Sequence, residues 1–154
     1  MHKEQIVNMK VLFVCTGNTC RSSMAEGIFN HIAKEKGTEH VAESAGIMTY
    51  DGLPATDEAI QVLKEEYNID ISNHKSRSIK REYLENADFV FAMTDMQRES
   101  LITKYPEFAD KIFTLNEFAD LKGDIDDPFG RGKDAYKKTA EDIYEAILRI
   151  IEKL

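Results

Sequence analysis

The fold is decided by the stretch Cys15-Thr16-Gly17-Asn18-Thr19-Cys20-Arg21-Ser22, which lies between a strand pattern and a helix pattern. Apart from one lysine, residues 9–14 before it are apolar and often β-branched or aromatic, as in a buried parallel strand. After it, apolar residues recur at helical spacing, at positions 24, 25, 28, 29 and 32. The stretch is therefore predicted to be a loop that joins the carboxyl end of a strand to the amino end of a helix.

A loop in this position is suited to hold an anion. The first amides of a helix have no partner within the helix, and the helix dipole is positive at that end. Gly17 is expected to take backbone angles closed to other residues, which lets successive amides converge on one anion. The stretch is therefore predicted to wrap a phosphate.

Cys15 and Arg21 supply the reactive groups of the loop. A helix N-terminus and a neighbouring cation both stabilise a thiolate, so we expect Cys15 to be a nucleophile toward phosphorus. The guanidinium fork of Arg21 can bind two phosphoryl oxygens and hold the charge that spreads in the transition state. Ser22 is expected either to donate to the sulfur or to cap the helix. Together these residues predict a cysteine-dependent phosphatase.

The rest of the chain alternates strand and helix patterns. Three further strands are predicted, at residues 41–45, 88–93 and 111–115. Helices are predicted from residue 56 or 57, around 81–85, over 95–105 and, after a loop that ends at residue 132, over 134–154. This alternation predicts an α/β fold: a single doubly wound, four-stranded parallel sheet with helices on both faces. We expect residues 1–8 to be an N-terminal extension of a domain at 9–154.

Composition narrows the class of protein. A chain of 154 residues is long enough for one domain with a sizeable core. The net charge of −8 argues against a general nucleic-acid binder, and no apolar run approaches the roughly 20 residues that span a bilayer. The first residues lack the apolar core of a signal peptide, and both cysteines lie inside the proposed site. We therefore expect a cytoplasmic monomer that needs no metal or cofactor.

Two separate motifs resemble one known family. Residues 15–22, with the Met24-Ala25-Glu26 that follows, resemble the active-site signature of the low-molecular-weight protein tyrosine phosphatases. The block Asp126-Asp127-Pro128-Phe129-Gly130 resembles the loop that supplies that family's acid. The resemblance covers residues 9–154. It implies an enzyme that hydrolyses phosphorylated side chains of proteins or peptides through a phosphocysteine on Cys15 and releases inorganic phosphate.

The resemblance also implies roles for residues around the loop. Phosphate contacts are expected from Thr16, Gly17, Asn18, Thr19, Cys20 and Ser22. Asn18, Ser44 and His74 match positions that brace the loop through hydrogen bonds, although His74 by itself is typical of a surface or turn histidine. Asp95 follows a strand, and we expect it to cap the next helix rather than to face the site.

Asp127 is the expected general acid and base. A leaving group needs a proton, which an aspartate can supply before it takes a proton from the water that hydrolyses the phosphocysteine. Alone, Asp-Asp-Pro is typical of a turn, but residues 15–22 favour the catalytic interpretation. Asp126 is the competitor, and Asp127 is preferred because the family's acid directly precedes the proline.

Cys20 has two interpretations. It is either a small packing residue or a resolving thiol that captures an oxidised Cys15 in a reversible disulfide. A thiolate at Cys15 is readily oxidised, and a cysteine five positions along a curved loop can come within bonding distance. The residues leave both interpretations open.

Thr19 and Phe129-Gly130 bear on the choice of substrate. Many tyrosine-specific members of the family have a larger aliphatic residue in place of Thr19 and an aromatic pair after the Asp-Pro. This chain instead resembles the protein arginine phosphatase branch, which implies a slight preference for phosphoarginine, with phosphotyrosine as the alternative. A hydroxyl-bearing residue and an anionic Asp127 suit a polar, cationic leaving group.

Two other classes of protein are disfavoured. Arsenate reductases of the same fold carry a nearly identical first loop, but some use two further cysteines, and no cysteine follows Cys20 here. A silent phosphopeptide-binding module would be expected to lose Cys15, Arg21 or the acid, and all three are present.

Overall fold

Four parallel strands form the centre of the protein, for which a computed structural model describes residues 8–154. The elements in chain order are β1 (Lys10–Cys15), α1 (Arg21–Glu35), β2 (Val41–Gly46), α2 (Asp57–Tyr67), α3 (Arg81–Asn86), β3 (Phe89–Ala92), α4 (Asp95–Lys104), a 3₁₀ helix (Pro106–Lys111), β4 (Ile112–Thr114), α5 (Leu115–Phe118) and α6 (Lys133–Ile151). Within residues 8–154, no helix is both long enough and apolar enough to cross a bilayer. The expected extension at 1–8 lies, apart from Asn8, outside the described residues.

The strands are arranged in the order β2-β1-β3-β4, and every neighbouring pair is parallel. The chain therefore leaves β1 toward one edge of the sheet to form β2, then crosses to the other side of β1 to form β3. Such a change of direction opens a crevice at the carboxyl end of the central strand, where ligands of doubly wound folds bind. The predicted fold class is confirmed, and residues 15–22 lie at that crevice.

Alternate residues of β1 face two different cores. Val11 and Phe13 pack with α1, α2 and α6 on one face of the sheet, whereas Leu12 and Val14 pack with α3 and α4 on the other. All four are buried. Burial of a large apolar side chain contributes about 1.5–3 kcal/mol, so β1 is held firmly from both faces. Its last residue, Cys15, is thereby fixed in position.

Several predicted boundaries differ from the structure. The 3₁₀ helix at Pro106–Lys111 and the four-residue α5 interrupt segments predicted as strand or loop, and α6 ends at Ile151. Thr94 caps α4, with its hydroxyl accepting from the Gln97 N–H, so the expectation that Asp95 would cap this helix is wrong. Asp95 is the first residue inside α4, and its N–H donates to Asp124 Oδ1 at 2.9 Å.

Candidate active site

Cys15 is the last residue of β1 and is 1% exposed. The Asn18 N–H donates to Sγ at 3.2 Å, and Ser22 Oγ lies 2.9 Å from the same sulfur. Because Ser22 Oγ also accepts from Asn18 Nδ2 at 2.8 Å, its own hydrogen is free to point at the sulfur. Donors of this kind stabilise a thiolate. Of the two roles expected for Ser22, the structure shows the contact with Cys15, since α1 has no side-chain cap.

Asn18 has the unusual backbone conformation on which the turn of the loop depends. Its φ is 59°, in the left-handed region, which asparagine tolerates better than most residues. Gly17 is not among the residues of positive φ, so the expectation that glycine supplies this conformation is wrong. Asn18 Nδ2 also donates to Ser44 Oγ at 2.9 Å, and Asn18 Oδ1 accepts from the Arg77 N–H at 2.9 Å. These tertiary partners hold the buried asparagine where the turn requires it.

His74 and Ser44 both contact Asn18 from other segments of the chain. His74 Nε2 lies 2.7 Å from the Asn18 carbonyl oxygen. Ser44 Oγ donates to Glu26 Oε1 at 2.5 Å, and a carboxylate can only accept, so the lone pairs of Ser44 face Asn18. The hydrogen bonds thus run outward from the Asn18 amide, through Ser44 to Glu26 and through Ser22 to the Cys15 sulfur. Glu26 lies in the quoted signature, but the sequence suggested no role for it.

Arg77 is a support that the sequence did not reveal. Its Nε donates to the Ser44 carbonyl at 3.1 Å, and its Nη2 donates to Glu43 Oε2 at 2.9 Å. The guanidinium also packs over the Tyr83 ring, 4.1 Å from the ring centre. These contacts fix the backbone whose N–H holds Asn18. No local pattern marks Arg77, because its partners lie far away in the sequence.

Gly46 lies directly behind the loop. A Cβ added at this residue would lie 2.8 Å from the Thr16 carbonyl oxygen, 2.8 Å from Thr49 Cγ2 and 3.1 Å from Asn18 Cβ. Real Cβ atoms do not approach other atoms so closely, so a side chain here would displace the loop. The chain after Gly46 also donates to the loop, from the Met48 N–H to the Thr16 carbonyl at 2.9 Å. Close approach of the two backbones therefore requires glycine.

Arg21, the first residue of α1, reaches from the loop to the segment before α6. Its Nη1 donates to the Ile125 carbonyl at 3.0 Å, and its Nη2 lies 3.7 Å from Asp127 Oδ2. The residue is only 6% exposed, and its Nε is buried without a hydrogen-bond partner among residues 8–154. A buried donor without a partner is uncommon, and this one lies beside the loop, where it can donate to a ligand.

The structure brings Asp127, rather than Asp126, to the loop. The Asp127 side chain is 56% exposed, and its Oδ1 accepts from the Phe129 N–H at 3.1 Å and lies 3.9 Å from Cys20 Sγ. Asp126 contributes a backbone carbonyl, which accepts from Thr139 Oγ1 at 3.3 Å. Among residues 8–154, no group of three or more His, Cys, Asp or Glu side chains is arranged to hold a metal ion.

Cys20 differs from Cys15 in its surroundings. Burial, followed by the neighbouring Cys15 sulfur, raises the pKa of the Cys20 thiol to about 11. Cys20 therefore keeps its proton at neutral pH, and its S–H points toward Asp127. The two cysteines of the loop are chemically distinct.

Thr19 borders an open cavity of about 480 Å³ beside the loop. The other lining residues are Gly17, Ile47, Met48, Thr49, Tyr50 and Leu53. The Thr56 N–H, at the start of α2, donates to the Thr19 carbonyl at 2.9 Å and so fixes its backbone. On the segment that carries Asp127, Phe129 is largely exposed and Gly130 has a φ of 76°.

A doubly wound parallel sheet, with a buried cysteine at the end of its first strand and an arginine at the start of the next helix, is typical of a class of cysteine-dependent phosphatases. The chain belongs to the low-molecular-weight phosphatase family: residues 10–154 match the family described as low molecular weight phosphotyrosine protein phosphatase. The family resemblance and the enzyme class predicted from the sequence are confirmed. The protein is a phosphatase of this family.

Three relatives illustrate the similarity. The structure of a low molecular weight protein tyrosine phosphatase from T. tengcongensis is 54% identical, with a TM-score of 0.93 over 96% of this chain and all of that chain. A protein-arginine-phosphatase of Bacillus subtilis (strain 168) is 37% identical over 95% of this chain and 97% of its own length. A mutant of the YwlE arginine phosphatase with a phosphorylated active-site serine is 37% identical, with a TM-score of 0.91 over 95% of each chain.

Proposed function

We propose that this enzyme hydrolyses phosphorylated side chains through a phosphocysteine on Cys15, with Arg21 binding the phosphoryl oxygens and Asp127 as general acid and base. The observation that carries the proposal is the pair of contacts at the Cys15 sulfur, from the Asn18 N–H and Ser22 Oγ. They favour a thiolate at Cys15. The relative with a phosphorylated active-site serine supports a covalent intermediate on the enzyme.

The first step forms an S–P bond at Cys15 and breaks the bond from phosphorus to the leaving atom. Asp127 lies at the open side of the site and gives its proton to that leaving atom. In the second step a water attacks phosphorus, Asp127 takes the water's proton, and the thiolate leaves with release of inorganic phosphate. Asp127 thus returns to its protonated state.

Arg21 binds the transferred group in both steps. Two contacts aim its guanidinium, the Ile125 carbonyl at Nη1 and Asp127 at Nη2, while its buried Nε is left to donate to a phosphoryl oxygen. A guanidinium held in this way stabilises the spreading negative charge without moving during the reaction. Asn18, Ser44 and His74 support the loop, and the backbone of residues 16–22 contacts the phosphate.

The proposed preference is for phosphoarginine, by a small margin over phosphotyrosine. Thr19 at the cavity, and glycine rather than a second ring after Phe129, support this preference. So does the similarity to the Bacillus subtilis arginine phosphatase. The alternative, phosphotyrosine, is favoured by the 54% identity to the T. tengcongensis enzyme. Arsenate reduction by a thiol relay is disfavoured, since no cysteine follows Cys20.

Thr19→Ile is expected to shift the preference toward phosphotyrosine by about tenfold. Replacement of the hydroxyl by an ethyl group removes polar surface and narrows the cavity, and a change of even one methylene group alters kcat/KM by roughly 10–200-fold. The measurement is kcat/KM of wild type and variant on peptides that differ only in phosphoarginine or phosphotyrosine. Thr49→Val, which changes a second threonine of the same cavity lining, is the control. A strong tyrosine preference in wild type that Thr19→Ile leaves unchanged would contradict the arginine proposal.

We also propose that Cys20 protects Cys15 from irreversible oxidation. Peroxide converts the Cys15 thiolate to a sulfenic acid, and the Cys20 thiol then displaces water to form the disulfide, which an external dithiol reduces. Because the raised pKa keeps Cys20 protonated, peroxide reacts first at Cys15.

Cys20→Ser is expected to retain most activity but to recover several-fold less of it after peroxide treatment. Without the resolving thiol, sulfenic acid proceeds to sulfinic acid, which dithiols do not reduce. Activity is measured before peroxide, after it and after dithiothreitol, with mass spectrometry to count oxygen atoms on Cys15. Equal recovery in variant and wild type would leave Cys20 as a packing residue.

A further inference from the structure

Gln97 links the start of α4 to the phosphate loop. It is 7% exposed, and its side chain forms hydrogen bonds in two directions. Its Oε1 accepts from the Met93 and Thr94 N–H groups, both at 3.1 Å, and its Nε2 donates to Thr16 Oγ1 at 3.1 Å. Thr16 directly follows the nucleophilic Cys15. The amide of Gln97 therefore joins β3, α4 and the loop.

Capping α4 needs only the amide oxygen. Thr94 and Gln97 form a reciprocal capping box, in which either glutamate or glutamine can serve at the last position. The same protein contains a second capping box, Thr114 with Glu117, at the start of α5. There a carboxylate accepts from the Thr114 N–H at 3.3 Å. The choice of glutamine at position 97 is therefore not explained by the cap.

The hydrogen bond from the Gln97 amide nitrogen to Thr16 explains why glutamine, rather than glutamate, occupies position 97. A glutamate at 97 would replace a neutral donor beside Thr16 with an anionic acceptor, next to a thiolate and a bound phosphate. Like charges repel, and the effect is large where burial limits screening. We propose that Gln97 is a positioning residue of the phosphate loop, which holds Thr16 through a neutral donor and keeps negative charge away from the anion site. The proposal rests on the phosphate-binding function proposed above.

Gln97→Glu is expected to leave the melting temperature near that of wild type and to weaken inorganic phosphate binding about tenfold at pH 7.5. The cap survives because the carboxylate still accepts from the N–H groups of residues 93 and 94. Phosphate is titrated into wild type and variant, with backbone amide NMR signals as the readout. Glu117→Gln, which makes the reverse exchange in the second capping box, is the matched control and is expected to bind phosphate as wild type does.

The pH dependence separates repulsion from a structural defect. Glutamate has an ordinary pKa of ~4.3, and a nearby anion raises it. Lowering the pH toward 5 then neutralises the residue and gives it a proton to donate to Thr16. The ratio of variant to wild-type Kd is therefore expected to fall toward 1 between pH 7.5 and pH 5. Phosphate also loses negative charge over this range, which weakens the repulsion in the same direction, whereas a structural defect would leave the ratio unchanged.

A second pair of variants tests the link through Thr16. Gln97→Met and Thr16→Val are each expected to raise the Kd for phosphate about threefold, and the double variant no further, because residues that act through one contact are not additive. Additive effects would overturn the proposal, as would wild-type affinity in Gln97→Glu at pH 7.5 or a Kd ratio that does not change with pH. If wild type itself binds no phosphate, the proposed function falls as well.

Discussion

Cys15→Ser is expected to lower kcat on phosphopeptides by at least about 10³-fold while leaving the fold intact. A serine hydroxyl is not ionised at neutral pH, and the donors that stabilise a thiolate, the Asn18 N–H and Ser22 Oγ, cannot make it a comparable nucleophile. The side chain is buried and nearly isosteric, so the melting temperature is expected to change little. Turnover is measured by release of inorganic phosphate, beside thermal unfolding of the same samples.

Phosphopeptide binding provides the complementary readout for this variant. Arg21 and the loop amides remain in place, so Cys15→Ser is expected to retain affinity for substrate and can capture phosphorylated partners. Cys20→Ser, which alters the other buried cysteine, is the control and is expected to hydrolyse phosphopeptides. Activity of Cys15→Ser within tenfold of wild type would exclude the phosphocysteine mechanism.

Asp127→Asn is expected to lower kcat by about 10²–10³-fold on substrates whose leaving group needs a proton. The amide keeps the size of the side chain and an oxygen for the Phe129 N–H, but it cannot transfer a proton to the leaving atom. p-Nitrophenyl phosphate has a leaving group that departs without protonation, so Asp127→Asn is expected to lower kcat less on this substrate. The measurement compares kcat on phosphoarginine peptide, phenyl phosphate and p-nitrophenyl phosphate.

Asp126→Asn is the matched control, because the neighbouring carboxyl group is also exposed but contacts neither Arg21 nor Cys20 in the described structure. It is expected to keep wild-type turnover on all three substrates. An inactive Asp126→Asn beside an active Asp127→Asn would move the general acid to Asp126.

Local signals explain what the sequence predicted well. The apolar run of β1 and the helical spacing of α1 lie on either side of the loop, and each is determined by its own residues. The pairing of Thr94 with Gln97 is also a local signal, because Thr-x-x-Gln is the sequence pattern of a capping box. The expectation that Asp95 caps α4 overlooks this pattern. Four-residue α5 shows the limit of such signals, because one helical turn has no periodicity to detect.

Partners distant in the sequence explain what it did not reveal. Glycine is the usual residue at positive φ, which favours Gly17, yet Asn18 takes that conformation because its side-chain amide forms hydrogen bonds to residues 26 and 59 positions away. Family resemblance pointed to Ser44 and His74, which no local pattern marks. The family resemblance assigns no role to Arg77 or Gln97, because their importance follows from contacts made only in the folded chain.

The absence of a side chain at Gly46 bears on when the proposed anion site forms. Because the backbone of β2 closely approaches the back of the loop, formation of the sheet already fixes the positions of the loop amides. The conformational entropy of arranging them is lost in folding, before any ligand arrives. Such preorganisation means that the affinity for phosphate reflects the oxygen contacts themselves, with little reduction from ordering the loop.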